Sequence, residues 1–67
     1  MGINEAFKLF EKNEFDKSLE ILNDLISKCG TDIQSLNLRG RIYYKMQKWG
    51  NAMNDYATVL EIDPNNQ

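Results

Sequence analysis

Histidine is absent from the 67-residue chain, and cysteine, proline and tryptophan occur once each. Without histidine and with one thiol, Cys29, the chain cannot form the usual imidazole or thiolate metal sites. It also lacks the residues for a Ser-His or Cys-His nucleophile–base pair. A single cysteine excludes an internal disulfide, so we expect a reducing, cytoplasmic setting. We expect no enzymatic activity, no metal and no cofactor.

The sequence has neither a basic excess nor a long apolar run. Its net charge is −2 and its pI is about 4.9, whereas nucleic-acid-binding domains usually carry a basic stripe. No apolar run is long enough to span a membrane, and the four scattered glycines form no phosphate-binding loop. We therefore expect neither nucleic acid nor membrane as a partner. The length allows one small domain.

Apolar residues recur at spacings of three and four along the whole chain, which predicts amphipathic helices and no strand. The predicted helices run from Ile3 to about Asn13, from Phe15 to Lys28, from the Thr31-x-x-Gln34 capping box to Met46, and from about Trp49 to Ile62. The links between them are short. Four helices joined by short links are expected to be antiparallel neighbours.

The second half of the chain repeats the first at an offset of 34 residues. Small residues fall on small ones and large apolar residues on large ones: Gly40 on Ala6, Ala52 on Ser18, Tyr43 on Leu9, Tyr56 on Leu22, Leu60 on Ile26. We therefore predict an all-α fold of two stacked helix–turn–helix units, 1–32 and 33–66, in one domain over 1–67. The small residues should let the two helices of each unit approach closely, Ala6 beside Ser18 and Gly40 beside Ala52.

The run Leu36-x2-Arg39-Gly40-x2-Tyr43, followed by Ala52-x3-Tyr56 and Pro64, resembles the tetratricopeptide repeat. That pattern is W-x2-L-G-x2-Y…A-x3-F…P, with a period of about 34 residues. The resemblance implies an α-solenoid fragment that serves as a scaffold for binding a protein or peptide. It also implies that Tyr43, Trp49 and Tyr56 are packing residues.

Arg39 departs from the family pattern, which favours leucine there, and Glu5 occupies the equivalent position in the first unit. Two interpretations are open. The two side chains form an ion pair between neighbouring helices, or both charged tips reach water while their stems cover apolar surface. Exposed ion pairs contribute only about 0–1 kcal/mol, which favours the second.

In proteins of this family the first helix of each repeat lines a concave groove. The resemblance therefore implies that helices one and three carry the peptide-binding residues, Phe7, Phe10, Gln34, Asn37, Arg41, Tyr44 and Lys45. A ligand with a hydrophobic residue and an acidic group would suit this mixture of apolar and basic side chains. Alternatively, Phe7 and Phe10 complete a small core. One subgroup of the family binds the C-terminal carboxylates of chaperones with Lys and Asn residues on the first helices. Two of those positions fall on Ile3 and Phe7, which are apolar, so the sequence does not favour chaperone binding.

The last helix has an apolar face for which no covering helix is predicted. Leu19, Leu22 and Ile26 of the first unit should be covered by helix three, whereas no fifth helix follows to cover their equivalents. An uncovered apolar face promotes association. The alternative function is therefore structural self-assembly as a homodimer through Met53, Tyr56, Ala57 and Leu60. Helix one, through Ile3 and Phe7, is the rival surface.

Overall fold

The computed structural model describes residues 2–30 and 32–65. These form four helices: α1 (Ile3–Glu11), α2 (Phe15–Lys28), α3 (Ile33–Lys45) and α4 (Trp49–Ile62). No strand occurs in the described ranges, which confirms the all-α prediction of two helix–turn–helix units. Helix α1 packs against α2, and α3 packs against all three other helices, whereas α4 contacts α3 alone among the described elements. Helix α3 is therefore the centre of the molecule.

The helix boundaries follow the sequence pattern with small differences. Helices α2 and α4 have the predicted bounds, and α1 and α3 end slightly before the predicted residues. Thr31, the predicted cap of α3, lies outside the described residues. Asp32 occupies the N-cap position instead, and the Ser35 hydroxyl donates to its Oδ2 atom at 2.5 Å.

Both units turn in the same way between their two helices. Asn13 and Gln47 have positive φ angles of 64° and 62°, and they are 34 residues apart. The backbone bonds that close the turns are Glu14 N–H to Leu9 O at 2.9 Å and Lys48 N–H to Tyr43 O at 2.8 Å. Each bond spans a residue in the left-handed conformation, which is the Schellman ending of a helix. The internal repeat therefore extends to the backbone of the turns.

The buried core includes residues of both units. Ala6, Leu22, Leu38 and Ile42 form one cluster and are almost completely excluded from solvent. The Ser18 hydroxyl donates to the carbonyl of Ala6 at 2.8 Å. This bond confirms the predicted close approach of α1 and α2, and it satisfies a polar side chain that is itself buried.

The contact between α3 and α4 differs from the one between α1 and α2. A Cβ atom placed on Gly40 would lie 2.9 Å from Cε1 of Tyr56, so the tyrosine ring occupies the space that a side chain would need. The three atoms nearest to that Cβ position all belong to the ring of Tyr56. Position 40 favours glycine because the Tyr56 ring lies so close to its backbone. The backbone of Gly40 has an ordinary helical conformation, so conformational freedom is not the reason.

Arg39 joins three helices. Its Nε and Nη2 atoms donate to the two carboxylate oxygens of Asp55 at 2.8 and 2.7 Å. Its Nη1 atom donates to Oδ1 of Asn23 at 2.9 Å, and its guanidinium carbon lies 5.9 Å from the centre of the Tyr43 ring. The hydrogen-bonded Asp55 raises the pKa of Arg39. The predicted ion pair with Glu5 is therefore wrong. Glu5 is exposed, whereas Arg39, 20% exposed, is bound mainly by Asp55.

Candidate binding surface

The predicted ligand-binding residues of α3 lie on one side of that helix. Gln34, Arg41, Tyr44 and Lys45 are exposed and Asn37 is half-buried. Their spacing of three, four, three and one places them along one helical stripe. Helix α1 packs beside α3 and carries Phe7 and Phe10. We name this set of seven residues the α1–α3 surface.

The two phenylalanines of α1 have different environments. Phe7 is exposed, so its ring is available to a ligand. Phe10 is half-buried, packs against the core cluster, and has its ring centre 5.9 Å from that of Phe15. Phe10 therefore contributes mainly to the core, as the alternative interpretation expected, and Phe7 is the accessible apolar side chain.

Tyr44 forms an aromatic pair with Trp49 that the sequence pattern did not predict. Their ring centres are 4.9 Å apart with an edge-to-face angle of 65°, a favourable arrangement. Both rings are exposed, so Trp49 packs against Tyr44 at the surface rather than in the core. The pair lies 34 residues after Phe10 and Phe15, and that repetition is the sequence signal from which it could have been found.

The basic residues of the α1–α3 surface have no internal acidic partner in the described part of the chain. The ion pairs there join Lys17 to Glu14, Lys28 to Asp24 and Arg39 to Asp55. The positive charges of Arg41 and Lys45 therefore remain available to an external anion. Burial raises the pKa of Tyr56, and the nearby positive charge of Arg41 opposes that rise.

The apolar residues predicted for self-association are accessible on α4, although the ring of Tyr56 also packs beside Gly40 of α3. Met53, Tyr56, Ala57 and Leu60 are all exposed. Of their equivalents on α2, Leu22 is fully buried and Leu19 and Ile26 are half-buried, because α2 packs against α3. In the described residues, no helix covers α4 in the corresponding way.

A family profile described as tetratricopeptide repeat matches residues 33–66, half of the chain. The chain belongs to the tetratricopeptide repeat family. Two curated relatives are each called tetratricopeptide repeat protein 21 homolog. The protein from Caenorhabditis briggsae is 29% identical over 62 residues, and the one from Caenorhabditis elegans is 26% identical over 62 residues.

The chain is much shorter than these two relatives. Each alignment covers 92% of the chain but 5% of the relative, so the chain spans about one twentieth of their length. No solved structure gives a significant match to the chain. Tetratricopeptide repeats generally mediate protein–protein interaction. None of the described helices is long and apolar enough to cross a membrane.

Proposed function

We propose that the chain is a protein- or peptide-binding scaffold module without catalytic activity, and that its ligand binds at the α1–α3 surface. The observation that supports this most directly is the group formed by Arg41, Tyr44 and Lys45. These side chains are exposed on one stripe, and the two cations have no acidic partner among the described residues. The exposed ring of Phe7 lies on the neighbouring helix.

This combination favours a ligand segment with one hydrophobic side chain and at least one carboxylate. The hydrophobic side chain would pack on the rings of Phe7 and Tyr44, and the carboxylate would face Arg41 and Lys45. The absence of histidine supports a non-catalytic role. We further propose a cytoplasmic setting, and partners that are proteins rather than nucleic acids or membranes.

Peptide binding measured by fluorescence anisotropy tests this proposal. The probes are a labelled peptide with one leucine and two aspartates, and the same peptide with lysine in place of aspartate. We expect tighter binding of the acidic peptide, with an affinity that falls as salt rises because the contact charges are screened. The substitution Arg41→Glu should weaken acidic-peptide binding about tenfold.

The matched control is Lys17→Glu, which makes the same charge change on α2, outside the α1–α3 surface. It should leave the affinity almost unchanged. Equal affinities for the acidic and basic peptides across the salt series would contradict an acidic ligand. Equal losses for Arg41→Glu and Lys17→Glu would show that only the net charge matters.

Structural self-assembly is a second candidate function. It is supported by the exposed apolar face of α4, where Met53 is the most exposed large hydrophobic residue among those described. Monomeric proteins seldom leave contiguous apolar patches uncovered. The two candidate surfaces adjoin, because Arg41 of the α1–α3 surface lies near Tyr56 of α4, so each function needs its own test.

A further inference from the structure

Helix α4 presents a stripe of large apolar side chains with the spacing of a helix-pairing seam. Trp49, Met53, Tyr56 and Leu60 are 53%, 71%, 36% and 50% exposed. Their spacing of four, three and four is that of the a and d positions of paired helices. We name these four residues the α4 seam. Their equivalents on α2 are buried or half-buried against the rest of the molecule.

The opposite end of the molecule is polar at positions where the α4 seam would need apolar partners. Leu22 of α2 packs against Leu38 and Ile42 of α3, which are buried. The residues of α1 equivalent to Leu38 and Ile42 are Asn4 and Lys8, both exposed and polar. Head-to-tail stacking of copies would place an apolar seam on a lysine and an amide, and burying such groups without partners is costly.

Self-association through the α4 seam of both copies is therefore favoured over head-to-tail stacking. An interface formed by the same surface on both molecules has two-fold symmetry and closes at a dimer. It cannot propagate into a fibre, in contrast to head-to-tail stacking. This step depends on the self-assembly candidate, and its test measures association in the absence of peptide.

We propose that two copies of this chain pair α4 against α4 in antiparallel orientation, about a two-fold axis between Met53 and Tyr56. The spacing of the seam is the same in both directions. An antiparallel pair therefore sets Trp49 opposite Leu60 of the second copy, and Met53 opposite Tyr56 of the second copy.

Charges at the two ends of the seam favour the antiparallel orientation over the parallel one. Lys48 precedes the seam, and Glu61 and Asp63 follow it. Antiparallel pairing brings Lys48 towards Glu61 of the second copy, whereas parallel pairing brings like charges together at both ends. The helix dipoles also oppose one another favourably in the antiparallel pair.

Small residues beside the seam permit a close approach of the two helices. Gly50 and Ala57 are both exposed and lie seven residues apart, on the same side of α4. A Cβ atom placed on Gly50 would meet nothing within 4 Å, so the space beside the seam is open.

Sedimentation equilibrium over a concentration series is the first test. The mass should rise from 7.8 kDa and level off at twice that value. Trp49 is the only tryptophan, so its emission should shift to shorter wavelength over the same concentrations.

Leu60→Glu should weaken dimerisation about tenfold or more, whereas the control Asn51→Glu, on the opposite side of α4, should not. Lys48→Glu should also weaken dimerisation, and the double variant Lys48→Glu with Glu61→Lys should restore it.

Cross-linking tests the orientation in a Cys29→Ser background, with circular dichroism to verify that each variant is folded. A mixture of Trp49→Cys and Leu60→Cys chains should form a disulfide-linked dimer, and neither variant alone should do so efficiently. A chain of 7.8 kDa up to about 1 mM would overturn the proposal. So would growth beyond two copies, or efficient self-linking of Trp49→Cys, which indicates parallel pairing. Each of these outcomes is measured without peptide, so it tests pairing of the copies and leaves the proposed peptide binding to the anisotropy experiment.

Discussion

Arg39 and Asp55 form a residue pair that joins α3 to α4, and Arg39 also donates to Asn23 of α2. The side chain of Asp55 is 3% exposed and that of Arg39 is 20% exposed, and two short hydrogen bonds join them. Because the carboxylate has almost no contact with water, it depends on the guanidinium for its stabilisation. Such a pair need not add stability over an apolar pair, but losing one member leaves an unpaired buried charge.

We therefore predict opposite outcomes for single and double substitution. Arg39→Leu, which introduces the residue that the family favours, should lower the free energy of unfolding by about 3 kcal/mol. This value is at the low end of the range because the arginine head keeps some contact with water. Arg39→Leu combined with Asp55→Leu should recover most of the loss. Urea denaturation measures both.

Arg41→Leu is the control for this prediction, since Arg41 is exposed on the same helix. It should change stability by less than about 0.5 kcal/mol. A double variant that is as unstable as Arg39→Leu alone would show that the cost comes from lost packing of the arginine stem rather than from the unpaired carboxylate.

The sequence marked Arg39 as unusual but could not identify its partner. Arg39 and Asp55 belong to different helices, and their meeting depends on how the turn at Gln47 directs α4 back along α3. The nearest charged candidate in the repeat register was Glu5, which is exposed. Periodicity specifies which side of a helix a residue lies on, whereas a partner on another helix depends on the geometry of the turn.

At the scale of the helices and turns, the sequence was most informative where apolar spacing and chain-breaking residues agree. Helix α2 ends before Cys29-Gly30 and α4 before Asp63-Pro64, and both have the predicted bounds. Helices α1 and α3 end earlier than predicted because a left-handed residue that is not glycine closes each turn. Asparagine and glutamine give only a weak sequence signal for that conformation.

Gln47 is the less favourable of the two left-handed residues. Asparagine tolerates positive φ better than glutamine does, and glycine tolerates it without steric cost. We predict that Gln47→Gly raises the free energy of unfolding by about 0.5–1 kcal/mol, and that Asn13→Gly at the equivalent position has a smaller effect. Thermal and urea denaturation provide the measurement. A loss of stability in Gln47→Gly would mean that the glutamine side chain makes a stabilising contact.

At the scale of the whole molecule, the repeat register predicted the fold but not the exposure of each side chain. Phe15 and Trp49 occupy equivalent positions, yet Phe15 is half-buried and Trp49 is exposed. The difference arises because α2 has α3 beside it and α4 contacts α3 alone. For the same reason, the register could not show that Phe10 belongs mainly to the core.

The shared core makes the two units interdependent in stability. Leu22 from the first unit is fully buried against Leu38 and Ile42 of the second. We predict that Leu22→Ala lowers the free energy of unfolding by about 2–5 kcal/mol, the cost of a cavity in a packed core.

Trp49 lies in the second unit, so its fluorescence reports on that unit, while the helical circular dichroism reports on the whole chain. Both signals should show the same drop in urea midpoint. The surface change Lys17→Ala is the control and should move neither midpoint. A Trp49 transition that stays at its wild-type midpoint, while the helical signal shifts, would show that the units unfold independently, as weakly coupled repeats do.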